Sequence, residues 1–440
     1  MISCDFAPNE AWDDAWIAFK LILQPWKWKK GKELDLIKEI LLQKIYGSCQ
    51  KFPSRQCSTC VERPQDLCAV GIPPSSATHK FSANLFLSGR SALNYLLKSL
   101  NLPKESEIIV QGFTCEAVVL PILANNLRPV YVDIETESFS FDPIDLEKKI
   151  TSKTRTIILQ HSFGITPKHR EIIISIAKQH RLLLIEDIAH GFQSQKLKVK
   201  SQKSIYLMSF GRSKAISSVF GGAIVTNNKS IARKLELIEK NLPKPNLFFI
   251  FRTLIYKPLS MVIRLTYDFL LGKIIHKLIN LFAIFPPEIT KKEKRGEYSS
   301  FFDKAYPNAL AILLLHQLNK VDQVNKQRAK ICQVYQRKIS NLKSKISNLA
   351  LSRYPLLVKN RSPIITKAQK QNIFLGNWYN QPVGPASLNL AKVQYQLGSC
   401  PVAEEVCQHI INLPTNITIV SAKRIITLIL NKKSVKCADF

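Results

Sequence analysis

Six short apolar runs, Ile108–Gln111, Val130–Ile134, Thr156–Gln160, Leu182–Ile185, Ile205–Met208 and Ala223–Thr226, alternate with helical patterns such as Pro143–Ile150 and His169–His180. That alternation predicts a mainly parallel sheet wrapped by helices. With 440 residues, 46% of them hydrophobic, the chain is long enough to bury a sizeable core in about two to three domains. Disorder is excluded by the same composition.

Ligands of open α/β sheets gather at the carboxyl ends of the strands. Lys214 follows the run Ile205–Met208 in the segment Met208-Ser209-Phe210-Gly211-Arg212-Ser213-Lys214, with Gly221-Gly222 soon after. A lysine beside a hydroxyl and a flexible backbone is placed to form a Schiff base with an aldehyde cofactor. Most of the 63 Lys and Arg residues must be solvated surface, so Lys214 gains its weight from its company. Arg181–Asp187 reads as a buried parallel strand ending in a carboxylate, and Asp187 there is suited to a pyridine nitrogen or, more plainly, to a helix cap. His190 falls over the same ring or is a satisfied structural histidine. Upstream, Leu87-Ser88-Gly89-Arg90-Ser91 opens a helix whose Leu93, Leu96, Leu97 and Leu100 share one face. Free amides at that start, with the Ser91 hydroxyl, form a cradle for a phosphate. A serine-capped helix without a ligand is the plainer alternative. The conjunction of amine, acid and cradle points to pyridoxal 5'-phosphate.

Taken in order from about Phe86 to Asn228, and again at Ala311–Tyr335 and Ile411–Thr415, these segments resemble the DegT/DnrJ/StrS aminotransferases. The resemblance covers about two thirds of the chain. It implies the α/β architecture of fold type I pyridoxal-phosphate enzymes, with a large domain carrying a mainly parallel seven-stranded sheet flanked by helices and a smaller C-terminal α+β domain. The expected division is an N-terminal helical segment with a cysteine-containing insertion (1–80), the cofactor-binding domain (81–243), an apolar and basic helical insertion (244–300) and the small domain (301–440). By resemblance, Lys214 is the Schiff-base lysine and proton shuttle, Asp187 the partner of the ring nitrogen and His190 a neighbour of the ring oxygen. Ser209, Gly89, Arg90 and Ser91 would hold the phosphate. The implied reaction moves an amino group, with glutamate as donor, to a keto sugar, commonly nucleotide-linked, in a homodimer. Relatives that remove a sugar hydroxyl carry His at the lysine position, so Lys214 points to transamination. Two departures stand out: Cys115 replaces an aromatic residue that stacks on the cofactor, and Phe301–Pro307 lacks the Asn and Arg that reach across the dimer. The competing reading is a non-catalytic descendant serving as a membrane-associated scaffold or ligand sensor.

The net charge of +31 favours anionic partners. No helix-turn-helix, zinc-finger or single-strand platform pattern accompanies it, and the lysines are scattered, so nucleic acid is not expected. Residues 245–287 set apolar clusters between Arg252, Lys257, Arg264, Lys273 and Lys277. No uninterrupted run reaches the roughly 20 residues needed to span a bilayer. The stretch suits an insertion packed on the domain or at a dimer contact, or else a peripheral membrane helix. Four cysteines, Cys49, Cys57, Cys60 and Cys68, cluster, but they hold a single C-x-x-C pair in a loop-like context, so no metal is expected. The start of the chain lacks an export signal, and the expected location is cytoplasmic.

Overall fold

A computed structural model describes residues 1–46, 81–191, 204–339 and 349–430. The clustered cysteines and most of a seven-residue tandem in the sequence, Lys338–Ser344 repeated as Lys345–Leu349, lie outside the described residues.

The central sheet has seven strands: β1 (Ser82–Phe86), β2 (Glu107–Gln111), β3 (Arg128–Val132), β4 (Thr154–Gln160), β5 (Leu183–Asp187), β6 (Ile205–Ser209) and β7 (Gly222–Thr226). Their order is β1-β7-β6-β5-β4-β2-β3. Only β7 runs against its neighbours β1 and β6; the remaining pairings are parallel. Six of these strands coincide with the apolar runs of the sequence. β1, with the mixed composition Ser-Ala-Asn-Leu-Phe, is extended because it zips along β7 from Ser82 opposite Thr226 to Phe86 opposite Gly222.

Alternation along β6 explains why both faces need cover: Ile205 and Leu207 enter one buried cluster, whereas Tyr206 and Met208 enter another. Helix Gly89–Leu100 supplies part of that cover. Leu93, Leu96 and Leu97 are buried on the face predicted from their spacing, each contributing about 2 kcal/mol of apolar burial. Ser88 caps the helix by accepting the Ser91 amide, and Asn101 ends it in the left-handed conformation.

Beyond the sheet, the helix Asn308–Ile339 leads to an antiparallel pair, Arg353–Leu357 with Ile410–Pro414, flanked by helices Pro401–His409 and Ile419–Leu430. Helix Pro401–His409 does not continue through Ile410 and Ile411, although both are apolar. The helix stops at His409 because the branched Ile410 and Ile411 are drawn into pairing with Leu357 and Leu356. The N-terminal segment holds the helices Glu33–Tyr46 and Trp12–Ile22, the second of which packs against Leu247–Leu254 and Tyr256–Thr266. Those two helices and Leu271–Leu281 make up most of the apolar and basic stretch. Among the described residues no helix is long and apolar enough to cross a membrane.

Candidate active site

A cavity of about 500 Å³ opens at the carboxyl ends of the strands, within the size range of small-molecule sites. β5 delivers Asp187 to it and β6 delivers Ser209, with Lys214 five residues further on; β1 leads through Ser88 into the start of helix Gly89–Leu100. Gly89, Arg90, Asp187, His190, Ser209 and Lys214 all line this one space.

Two of the residues expected at the phosphate turn are occupied otherwise. Ser91 is fully buried and does not line the cavity; its amide donates to Ser88 Oγ and its hydroxyl to Asp303 Oδ1 at 3.0 Å. The Arg90 guanidinium pairs with Glu293, donates to the Glu288 carbonyl at 2.8 Å and lies 3.9 Å from Glu116. Its charge is compensated by carboxylates of this chain, so the positive element that the turn offers is the helix start itself.

Lys214 sits on a tight loop, its amide donating to the Gly211 carbonyl at 3.1 Å and its own carbonyl accepting from Asn9. Burial lowers the basicity of its amine, Cys115 and Asp187 oppose that, and the Arg353 charge adds to it; the net direction is down. An amine so disposed is a better nucleophile and proton acceptor near neutrality. Asp187 is 4% exposed, and its Oδ1 accepts the Ala189 amide at 2.9 Å. Burial pushes its carboxyl up, with the Ala189 amide and Lys214 opposing. A cation placed against it would restore the charge. Behind it, Glu186 is gripped by Arg170 through two nitrogens at 2.8 and 2.7 Å and by His161 at 2.9 Å.

His190 is buried, accepts the Phe163 amide on Nδ1 and meets the Tyr379 hydroxyl through Nε2. Burial, reinforced by Lys214 and Arg353, holds its basicity well below the ordinary histidine value. It is a neutral ring, lying 5.0 Å from the Trp378 ring.

The cradle is built by close backbone approach. A Cβ on Gly89 would stand 3.0 Å from the Ser209 Cβ, and one on Gly222 would stand 2.4 Å from the Ser88 carbonyl oxygen and 2.5 Å from the Gly89 nitrogen. Only glycines let the helix start, β6 and β7 converge this tightly. Amine, buried carboxylate, and helix amides beside a hydroxyl together fit the aldehyde, ring nitrogen and phosphate of pyridoxal phosphate.

Sequence reasoning missed the far wall. Val383–Gly384 pairs in parallel with Thr114–Cys115, which carries Trp378 and Tyr379 over the cavity. The Trp378 ring centre is 4.8 Å from Lys214 Nζ, and Tyr379 packs edge-on to Phe113 at 5.2 Å. Burial pushes the Cys115 thiol up to about 11, so it stays neutral. The altered stretch before Asn308 contributes Phe302 to the lining and Asp303 to Ser91. The aromatic pair Trp378-Tyr379 was the one available signal, and no spacing ties it to Lys214.

The profile of the DegT/DnrJ/EryC1/StrS aminotransferase family matches residues 79–242 and 302–429. An uncharacterised protein of Methanocaldococcus jannaschii is 25% identical over 364 residues, spanning 76% of this chain and 81% of that protein. GDP-perosamine synthase of Escherichia coli O157:H7 is 35% identical over 156 residues, 35% of this chain and 42% of the synthase, so the match spans under half of that relative. Among solved structures, an E. coli GDP-4-keto-6-deoxy-D-mannose-3-dehydratase with bound hydrated pyridoxal phosphate superposes with a TM-score of 0.66 at 16% identity, covering 97% of this chain and 99% of that one. That likeness shows the fold.

Proposed function

Because this chain belongs to the DegT/DnrJ/EryC1/StrS aminotransferase family of pyridoxal-phosphate enzymes, we propose that it transfers an amino group from glutamate to a keto sugar, nucleotide-linked, at the cavity that Lys214 and Asp187 share. The observation that carries this reading is the convergence of Lys214, Asp187 and the Gly89 turn on one space. The synthase relative, named for a nucleotide sugar, supports the acceptor class.

When bound, pyridoxal phosphate supplies an aldehyde that takes up nitrogen and a ring that withdraws electrons. The phosphate would rest on the amides of Gly89 and Arg90 and on the Ser209 hydroxyl. Asp187 would hold the ring nitrogen protonated. His190, kept neutral and fixed by Phe163 and Tyr379, would bound the ring without adding charge. Lys214 would anchor the cofactor and, once released, accept and return a proton at Nζ, a task suited to its depressed basicity. Trp378 and Tyr379 would exclude water from the face opposite the sheet. We further propose a homodimer in the cytoplasm.

The test is a screen of keto-sugar nucleotides for glutamate-dependent amination, followed by release of 2-oxoglutarate. Turnover with at least one such acceptor, lost in Lys214→Ala, is the expected result. Cofactor uptake with turnover only on acceptors outside the keto sugars would overturn the assignment.

A further inference from the structure

Arg353 is a buried cation with an incomplete set of partners. Its side chain is 1% exposed; Nη1 lies 2.6 Å from Asp5 Oδ1, whereas Nε and Nη2 are buried with no hydrogen-bond partner. Leaving two guanidinium donors unmade in a protein interior is costly, and the open edge is a planar fork matched to a carboxylate. The Trp378 ring lies against it, its centre 3.4 Å from the guanidinium carbon. The same ring centre is 4.8 Å from Lys214 Nζ, so the guanidinium carbon and the amine are no farther apart than those two lengths combined. That bound is within the reach of a small amino acid with its carboxylate on one group and its nitrogen near the other.

Asp5 is placed to answer for the missing ligand. Of the pair, it alone lines the cavity, and its side chain is 53% exposed. Its segment is pinned by the pairing of Ile2–Ser3 with Ile373–Phe374, and its amide donates to Ser3 Oγ. A carboxylate entering from the cavity displaces Asp5 from Nη1 and, not being held by the Ile2–Ser3 tether, can turn onto the open Nε and Nη2 edge that Asp5 leaves unmade.

We propose that Arg353 receives the carboxylate of the amino donor and that Asp5 is a tethered carboxylate occupying this position until the donor displaces it. The nature of the ligand rests on the aminotransferase reading; the existence of a carboxylate site does not. One carboxylate exchanges for another, so the charge of the site is conserved. The energetic consequence is a built-in competitor that weakens donor binding and keeps the buried cation paired between turnovers.

The test uses the full chain and glutarate, an unreactive dicarboxylate, in isothermal titration, with uncharged glutaramide as the control. Asp5→Asn keeps the shape of the side chain and removes its charge. It should tighten glutarate binding by about tenfold and leave glutaramide unaffected. Arg353→Lys should weaken glutarate binding and abolish the gain in the double variant. Unchanged or weaker glutarate binding by Asp5→Asn overturns the proposal, as does equal tightening of glutaramide, and that variant decides the matter even if Arg353→Lys does not fold. Cofactor uptake is followed separately by visible absorbance. Tightening without uptake would uphold the carboxylate site and sink the cofactor reading; uptake without tightening would do the reverse.

Discussion

His190 Nε2 lies 2.9 Å from the Tyr379 hydroxyl, while Nδ1 accepts the Phe163 amide. The accepted amide fixes the ring proton on Nε2, where it donates to Tyr379. Tyr379→Phe therefore leaves a buried N–H unmade and should cost about 1–3 kcal/mol in denaturant unfolding. Since the folded ring has a depressed pKa, the unfolded chain binds the extra proton. Stability from this site is complete above about pH 6.5 and falls as pH drops below it toward the folded value. An NMR titration in which the His190 ring stays neutral through about pH 6 to 8 checks the assignment.

Asp187→Asn should separate chemistry from folding. Burial already pushes this carboxyl toward its neutral form, so a neutral isostere should leave the unfolding midpoint of the cofactor-free protein unchanged or slightly raised. Turnover should nevertheless fall by about hundredfold or more, because the ring nitrogen loses its charged partner. Loss of stability without loss of rate would assign Asp187 to the fold alone.

Glu186 tests the support beneath the site. Burial raises its pKa, but the hydrogen bonds and charges of His161 and Arg170 outweigh that and hold it at about 2. A folded value below the unfolded one contributes stability that is complete above about pH 4.5 and is lost as pH falls toward 2. Glu186→Gln leaves the buried Arg170 with only Glu171 among the described residues as a charged partner and should cost about 2 kcal/mol at neutral pH, with a flatter acid limb in thermal melts.

Gly222→Ala probes the phosphate cradle. The added Cβ would meet the Ser88 carbonyl at 2.4 Å, forcing the helix start away from β7. The expected cost is about 1–3 kcal/mol of stability. Affinity for pyridoxal phosphate should fall further than affinity for pyridoxal, which has no phosphate to place; equal losses would put the phosphate elsewhere.

The large sheet was legible because its strands carry their own signal. Ile205–Met208 and Leu182–Ile185 are apolar whatever they pair with, and the stripe Leu93, Leu96, Leu97 states the helix period directly. Lys214 and Asp187 stood out because each ends or follows such a strand, and Gly89 because its turn opens the leucine-striped helix; all three line one cavity. The engagement of the Ser91 hydroxyl by Asp303, a partner far along the chain, was not legible. Trp378 and Tyr379 were invisible for a related reason: they reach the cavity beside the pairing of Val383–Gly384 with Thr114–Cys115, and Arg353 reaches Trp378 from the strand paired with Ile410–Pro414, contacts that no local pattern announces. The end of the Pro401 helix was set by strand pairing overriding periodicity.

The central claim is that Lys214 is the amine facing the cofactor. Borohydride reduction of the full chain in the presence of pyridoxal phosphate, followed by peptide mapping, tests it most directly. One label per chain on the peptide containing Lys214, absent from Lys214→Ala, is the predicted result; a label distributed over other lysines, with Lys214 unmodified, would contradict the account.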